Sequence, residues 1–125
     1  MIKFSIIIPA YNVEDYIFEC LSSVASQSVS GNIFEIIVID DCSDDNTFNI
    51  ISSYNRVANY SIISNNKNEG LGFSRNTGVK LSKGEYLVFL DADDLLHENA
   101  LKFLSDCIDK YSSDIVVCNW GYYHD

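Results

Sequence analysis

Cations are scarce in this chain of 125 residues: eight Lys and Arg stand against eighteen Asp and Glu, for a formal net charge of −10. That balance excludes a sequence-independent grip on nucleic acid or on an anionic membrane, because both require a surplus of positive charge. Long apolar runs are also missing. The longest, such as residues 34–39, fall far short of a membrane span, and the first residues enter a strand without a signal-peptide layout. The expected placement is cytoplasmic, with peripheral contact at a membrane left open. Cys20, Cys42, Cys107 and Cys118 form no C-x-x-C pair, and no histidine stands at zinc-ligand spacing from them. They are expected to be reduced, small buried hydrophobes rather than metal ligands. There is no internal repeat, low-complexity segment or linker, and a 47% hydrophobic content supplies one core, so a single domain is expected over residues 1–125.

What is present is an alternation of short apolar runs with helical patterns. Residues 4–8 read as a strand ended by Pro9, which leaves Ala10, Tyr11 and Asn12 at its carboxyl end. Val13, Ile17, Cys20, Leu21 and Val24 then recur at helical spacing, with Glu14 and Asp15 in the expected first turn. A second strand, residues 34–39, ends in Asp40 and Asp41, and Ser43 is placed to cap a helix over about 45–54. A short third strand at 60–63 leads through a polar stretch and Gly70 into a helix with the face Leu71, Ser74, Gly78 and Leu81, closed by Gly84. Residues 86–90 read as a fourth strand buried on both faces, followed by a helix over about 98–111 and a fifth strand at 114–118. Such alternation predicts an α/β fold: a Rossmann-like, mostly parallel sheet with right-handed crossovers and helices on both faces.

The fourth strand runs into acid. Asp91 and Asp93 sit two apart in an extended chain and so point to one side, with the small Ala92 between them, and their repulsion favours a bound divalent cation. Asp94 is expected to cap the following helix. If the strand order is 3-2-1-4, the ends of strands one, two and four meet where open α/β sheets bind ligands. Tyr11 as an aromatic face, Asp40 and Asp41 as acceptors, and a metal at Asp93 would suit a nucleoside diphosphate.

Four segments in order, SIIIPAYN (5–12), VIDDCSDDNT (38–47), NEGLGFSRNTG (68–78) and KGEYLVFLDADD (83–94), resemble the inverting glycosyltransferases of family 2, which have the GT-A fold. The resemblance implies that Pro9, Ala10, Tyr11 and Asn12 lie along the nucleotide, with Tyr11 against the base, and that Asp41 contacts the base. It also implies that Asp91 with Ala92 reaches the ribose side, and that Asp93, the second acid of the D-x-D motif, binds Mn²⁺ or Mg²⁺ and through it the diphosphate. Asn68, Arg75 and Asn76 fall in the N-x-G and R-N positions that support or line the donor pocket, although Arg75 could equally pair with a neighbouring acid. The implied partners are a nucleotide sugar, UDP-linked, and a glycan or lipid-linked acceptor in polysaccharide biosynthesis. Cys42 stands where the family often has glycine, a departure with a cost only if that turn needs a positive φ. The family's catalytic base belongs to an acceptor-binding half, expected beyond Asp125, so the chain reads as a donor-binding half.

Two other classes fit less well. A dinucleotide-binding Rossmann domain would carry G-x-G-x-x-G after strand one, where this chain has PAYNV. A phospho-accepting receiver would take its acid pair from strand one and a lysine after strand five, and no lysine follows Lys110. A third reading keeps the fold but not the activity, as an inactive nucleotide-binding remnant.

Overall fold

The structure is a computed structural model and describes residues 1–122. Eight elements alternate along it: β1 (Phe4–Ala10), α1 (Ile17–Ala25), β2 (Phe34–Asp40), α2 (Thr47–Ser53), β3 (Tyr60–Ser64), α3 (Leu71–Leu81), β4 (Tyr86–Phe89) and α4 (Ala100–Tyr111). All strand pairs are parallel, and the order across the sheet is β3-β2-β1-β4, as the expected site requires. A receiver-like sheet would instead run 2-1-3-4-5, so the topology removes that alternative.

β1 and β2 are buried along their whole length, because both faces of the sheet are covered there. On one face Phe4, Ile6, Ile8, Ile36 and Val38 pack with Ile17, Leu21 and Val24 of α1, Ile51 of α2, and Leu101 and Ile108 of α4. On the other, Ile7, Ile37 and Ile39 form a smaller cluster under α3. Gly78 permits that approach, since a Cβ there would overlap the Ile7 side chain.

Several expectations are corrected. β4 is not buried on both faces: Leu87 and Phe89 are 40% and 50% exposed, because α3 lies over β1 and β2 and leaves the edge strand uncovered. The fifth strand does not form. Residues 114–118 make no ladder with β4, and Ile115 and Val117 face solvent while Val116 alone packs on the core. A strand exists through a partner's backbone groups, and apolar alternation does not supply them. α1 starts at Ile17, so Glu14 and Asp15 precede it. Of the cysteines only Cys20 is fully buried; Cys42 and Cys118 are exposed, and all four are free thiols. Part of the terminal aromatic stretch, residues 123–125, lies outside the described residues. No helix among the described residues is long and apolar enough to cross a membrane.

Candidate nucleotide-binding site

The parallel register brings the equipped strand ends to one edge. Ala10 pairs with Asp40 and Asp40 with Ser64, Asp41 N donates to Ala10 O at 2.8 Å, and Leu90 N donates to Ile7 O at 3.1 Å. β1 connects outward to β2 on one side and is flanked by the late strand β4 on the other, which makes the crevice beside β1 the switch point.

Pro9 and Ala10 are buried in β1, so their place at this edge is a matter of backbone. Tyr11 is 47% exposed and presents its ring to solvent. Asn12, at φ 50°, turns the chain and is held by the next loop: its N–H donates to Ser43 Oγ at 3.1 Å and its Oδ1 accepts from Asp44 N at 3.0 Å. Ser43 therefore does not cap α2 as expected. That start is tied instead by Asp45, which accepts from Thr47 N at 2.8 Å, and by Glu14, which accepts from Asn46 N at 2.9 Å.

Asp41 is 4% exposed and saturated with donors. It accepts from Asn65 Nδ2 at 2.8 Å, Glu69 N at 2.8 Å and Gly70 N at 2.9 Å. The last two are unpaired amides at the start of α3, so a carboxylate just after β2 caps a helix three elements later. Gly70 sits at φ 93°, a conformation that only glycine adopts without strain. Asn65, which also reaches Ser74 Oγ at 3.1 Å, escapes a sequence reading because a lone polar residue after a strand looks like ordinary loop. Asn68 is exposed in the same loop, and Asn76 is exposed on α3.

Arg75 extends from α3 to Asp91, Nη2 to Oδ1 at 3.0 Å, and its Nε is buried without a partner. Asp91, Asp93 and Asp94 share a turn in which Asp94 N donates to Asp91 O at 3.0 Å. Asp94 does not cap α4, which begins only at Ala100. Burial, and after it the Asp93 and Asp91 carboxylates, raise the Asp94 carboxyl above its ordinary value. The same causes, burial first and then Asp94, Asp93 and Asp91, push the Cys20 thiol up to about 12. Among the described residues no three His, Cys, Asp or Glu side chains converge closely enough to enclose a metal ion alone. The donor set still suits a hard cation that takes one or two carboxylates from protein and the rest from phosphate and water, as Mg²⁺ commonly does.

This parallel sheet, with acids at its switch point, defines an open α/β domain of the Rossmann-like class. The model for glycosyl transferase family 2 matches residues 5–125, and the chain belongs to that family. It is 39% identical over 118 residues to the poly(ribitol-phosphate) beta-N-acetylglucosaminyltransferase TarS of Staphylococcus aureus, a match that covers 94% of this chain and 21% of TarS. A crystal structure of S. aureus TarS 1-349 in complex with UDP superposes with a TM-score of 0.87 at 40% identity, over 90% of this chain and 34% of that one. A mannosyltransferase from Pyrobaculum calidifontis, in complex with GDP-Man and Mn²⁺, superposes at 0.73 with 26% identity over 83% of this chain and 32% of its own. The fold is that of the GT-A glycosyltransferases, and the chain spans about a fifth of TarS.

Proposed function

We propose that this chain is the donor-binding part of a glycosyltransferase that binds a uridine diphosphate sugar with the help of a divalent cation. The observation that carries the reading is the meeting of Tyr11, Asp41, Asp91 and Asp93 at the carboxyl edge beside β1. Tyr11 offers the base an exposed ring. Asp41, locked by three donors, holds the 65–70 loop against the base position and keeps lone-pair capacity for a base N–H. Asp91 is oriented by Arg75 toward the ribose side, and Asn68 borders the same loop. Asp93, with Asp91 beside it, would hold Mn²⁺ or Mg²⁺. That ion supplies charge neutralisation of the diphosphate as it leaves, which a chain of net charge −10 cannot do with its own cations.

The UDP in the TarS complex and the Mn²⁺ in the mannosyltransferase complex support this choice of nucleotide and metal. The named activity of TarS supports an acceptor that is a hydroxyl-bearing glycan or polyol phosphate chain. The general base that deprotonates that hydroxyl is assigned to none of the acids at this edge. Asp41 is engaged with α3 and Asp91 with Arg75, while Asp93 is placed with the diphosphate.

Calorimetric titration of UDP into the chain, with Mn²⁺ and then with EDTA, tests the reading. Binding should be markedly tighter with Mn²⁺, and Asp93→Asn should remove most of that difference. Equal affinity in both conditions would rule out the metal role.

A further inference from the structure

The segment from Leu90 to Asn99 carries all three clustered aspartates but has no helix or strand to hold its shape. Its own backbone supplies little beyond the Asp94 to Asp91 turn. Leu90 N is held by Ile7 O of β1 and the Asp91 carboxylate by Arg75 of α3, and from Leu96 onward the fixtures come from α1 and the residues just after it. Ser23 Oγ accepts from Leu96 N at 3.0 Å while donating to Cys20 O at 2.6 Å. Gln27, 7% exposed, donates from Nε2 to His97 O at 2.7 Å and accepts from Leu101 N at 3.0 Å through Oε1. Ser28 N donates to Glu98 O at 2.9 Å.

Gln27 lies just past the end of α1, and its Nε2 donates to Ser23 O at 3.1 Å, which keeps the two residues side by side. They bracket the acidic turn's exit, one at Leu96 and the other at His97 and Leu101. The Asn99 side chain makes no cap bond to α4, so the buried Leu101 N–H would be unpaired without the Gln27 amide. A carboxylate on an irregular segment is only as well placed as the backbone beneath it.

We infer that Gln27 and Ser23 are positioning residues of the donor site: by fixing the backbone from Leu96 to Leu101 they set where the Asp91 and Asp93 carboxylates stand. The inference rests on the donor-site reading above. Neither residue needs to touch the ligand. Outer partners of this kind are commonly worth roughly ten- to hundredfold in metal affinity.

The test uses the whole chain and the variants Ser23→Ala, Ser23→Thr and Gln27→Met. UDP affinity is measured with Mn²⁺ and with EDTA, well below each unfolding midpoint, alongside amide hydrogen exchange. Ser23→Ala and Gln27→Met should bind UDP roughly ten- to hundredfold more weakly with Mn²⁺ and unchanged in EDTA. Exchange should quicken at Leu96 in the first and at Leu101 in the second. Ser23→Thr, which keeps the hydroxyl, should restore near-wild-type affinity; if Gln27→Met does not fold, the two Ser23 variants carry the test. Folded variants with unchanged Mn²⁺-dependent affinity would overturn the inference, as would an equal loss with and without Mn²⁺. An unsubstituted chain without Mn²⁺-dependent UDP binding overturns the donor-site reading as well, a failure recognisable because it needs no substitution.

Discussion

Cys42 shows how much a single residue's backbone state can decide. It adopts φ 62°, the left-handed region, in the turn after β2 where the family often has glycine, so the departure does carry a steric cost. Its side chain offers little in return, a 3.8 Å contact from Sγ to Asn66 O. Cys42→Gly should therefore raise stability by up to about 1 kcal/mol, read as a higher midpoint in thermal or urea unfolding. The thiols should also separate chemically. Cys20 is buried and pushed up to about 12 by that burial and by Asp94, Asp93 and Asp91, so it stays protonated at neutral pH. Alkylation of the native protein, followed by mass spectrometry, should modify Cys42 and Cys118 well before Cys20.

At the scale of elements, buried polar pins fix how helices and strands meet. At the end of the sheet opposite the candidate site, Glu35 of β2 accepts from Ser5 Oγ and from Lys83 N, both at 2.6 Å, and Ser5 Oγ accepts from Gly84 N at 2.8 Å. This fastens the α3–β4 turn to two central strands. Glu35→Ala leaves these donors without their acceptor in a buried place and should cost about 2–3 kcal/mol in denaturant unfolding. Near α2, burial would raise the Asp45 carboxyl, but hydrogen bonds from Thr47 and Glu14 outweigh it and hold the group below its ordinary 3.8. Its folded value is depressed, so its contribution is complete above the unfolded value and fades as pH falls through the folded one. Asp45→Ala should be destabilising at pH 7, by about 1 kcal/mol, with the gap to wild type closing below pH 3.8 in pH-dependent melts. The strands β1 to β4 and the four helices were legible in the sequence because apolar runs and helical spacing follow burial directly, whereas the strand order rested on the switch-point assumption and the resemblance to the GT-A fold. The caps were not. Asp94 and Ser43 fit the local rule for helix starts, yet α3 and α4 take acceptors from Asp41 and Gln27, far away in the chain. Local pattern cannot show a long-range partner, nor that the apolar residues at 114–118 make no ladder although the outer edge of β4 is open.

Across the whole molecule the groups proposed to bind the donor gather at one edge, and none of its acids is assigned the acceptor-side base. The chain spans 21% of TarS, so we expect it alone to bind UDP weakly and to transfer no sugar. Absence of a positioned base costs a factor of about 10² to 10⁴, and absence of acceptor alignment can cost more. An assay with nucleotide sugars, Mn²⁺ and glycan acceptors, beside a version extended to family length, checks this. Turnover at a similar rate in both would assign the base to an acid within residues 1–125. The sheet order also bears on biosynthesis. β1 lies between β2 and β4, which begins only at Tyr86, and every residue from Phe4 to Ala10 is buried. Until β4 leaves the ribosome, β1 has one open edge of seven residues, FSIIIPA, with Pro9 its only residue lacking an amide hydrogen. A nascent chain halted before Tyr86 would thus present a sticky apolar edge strand to chaperones or to other copies of itself, and completing β4 is the event that covers its Phe4–Ile7 part.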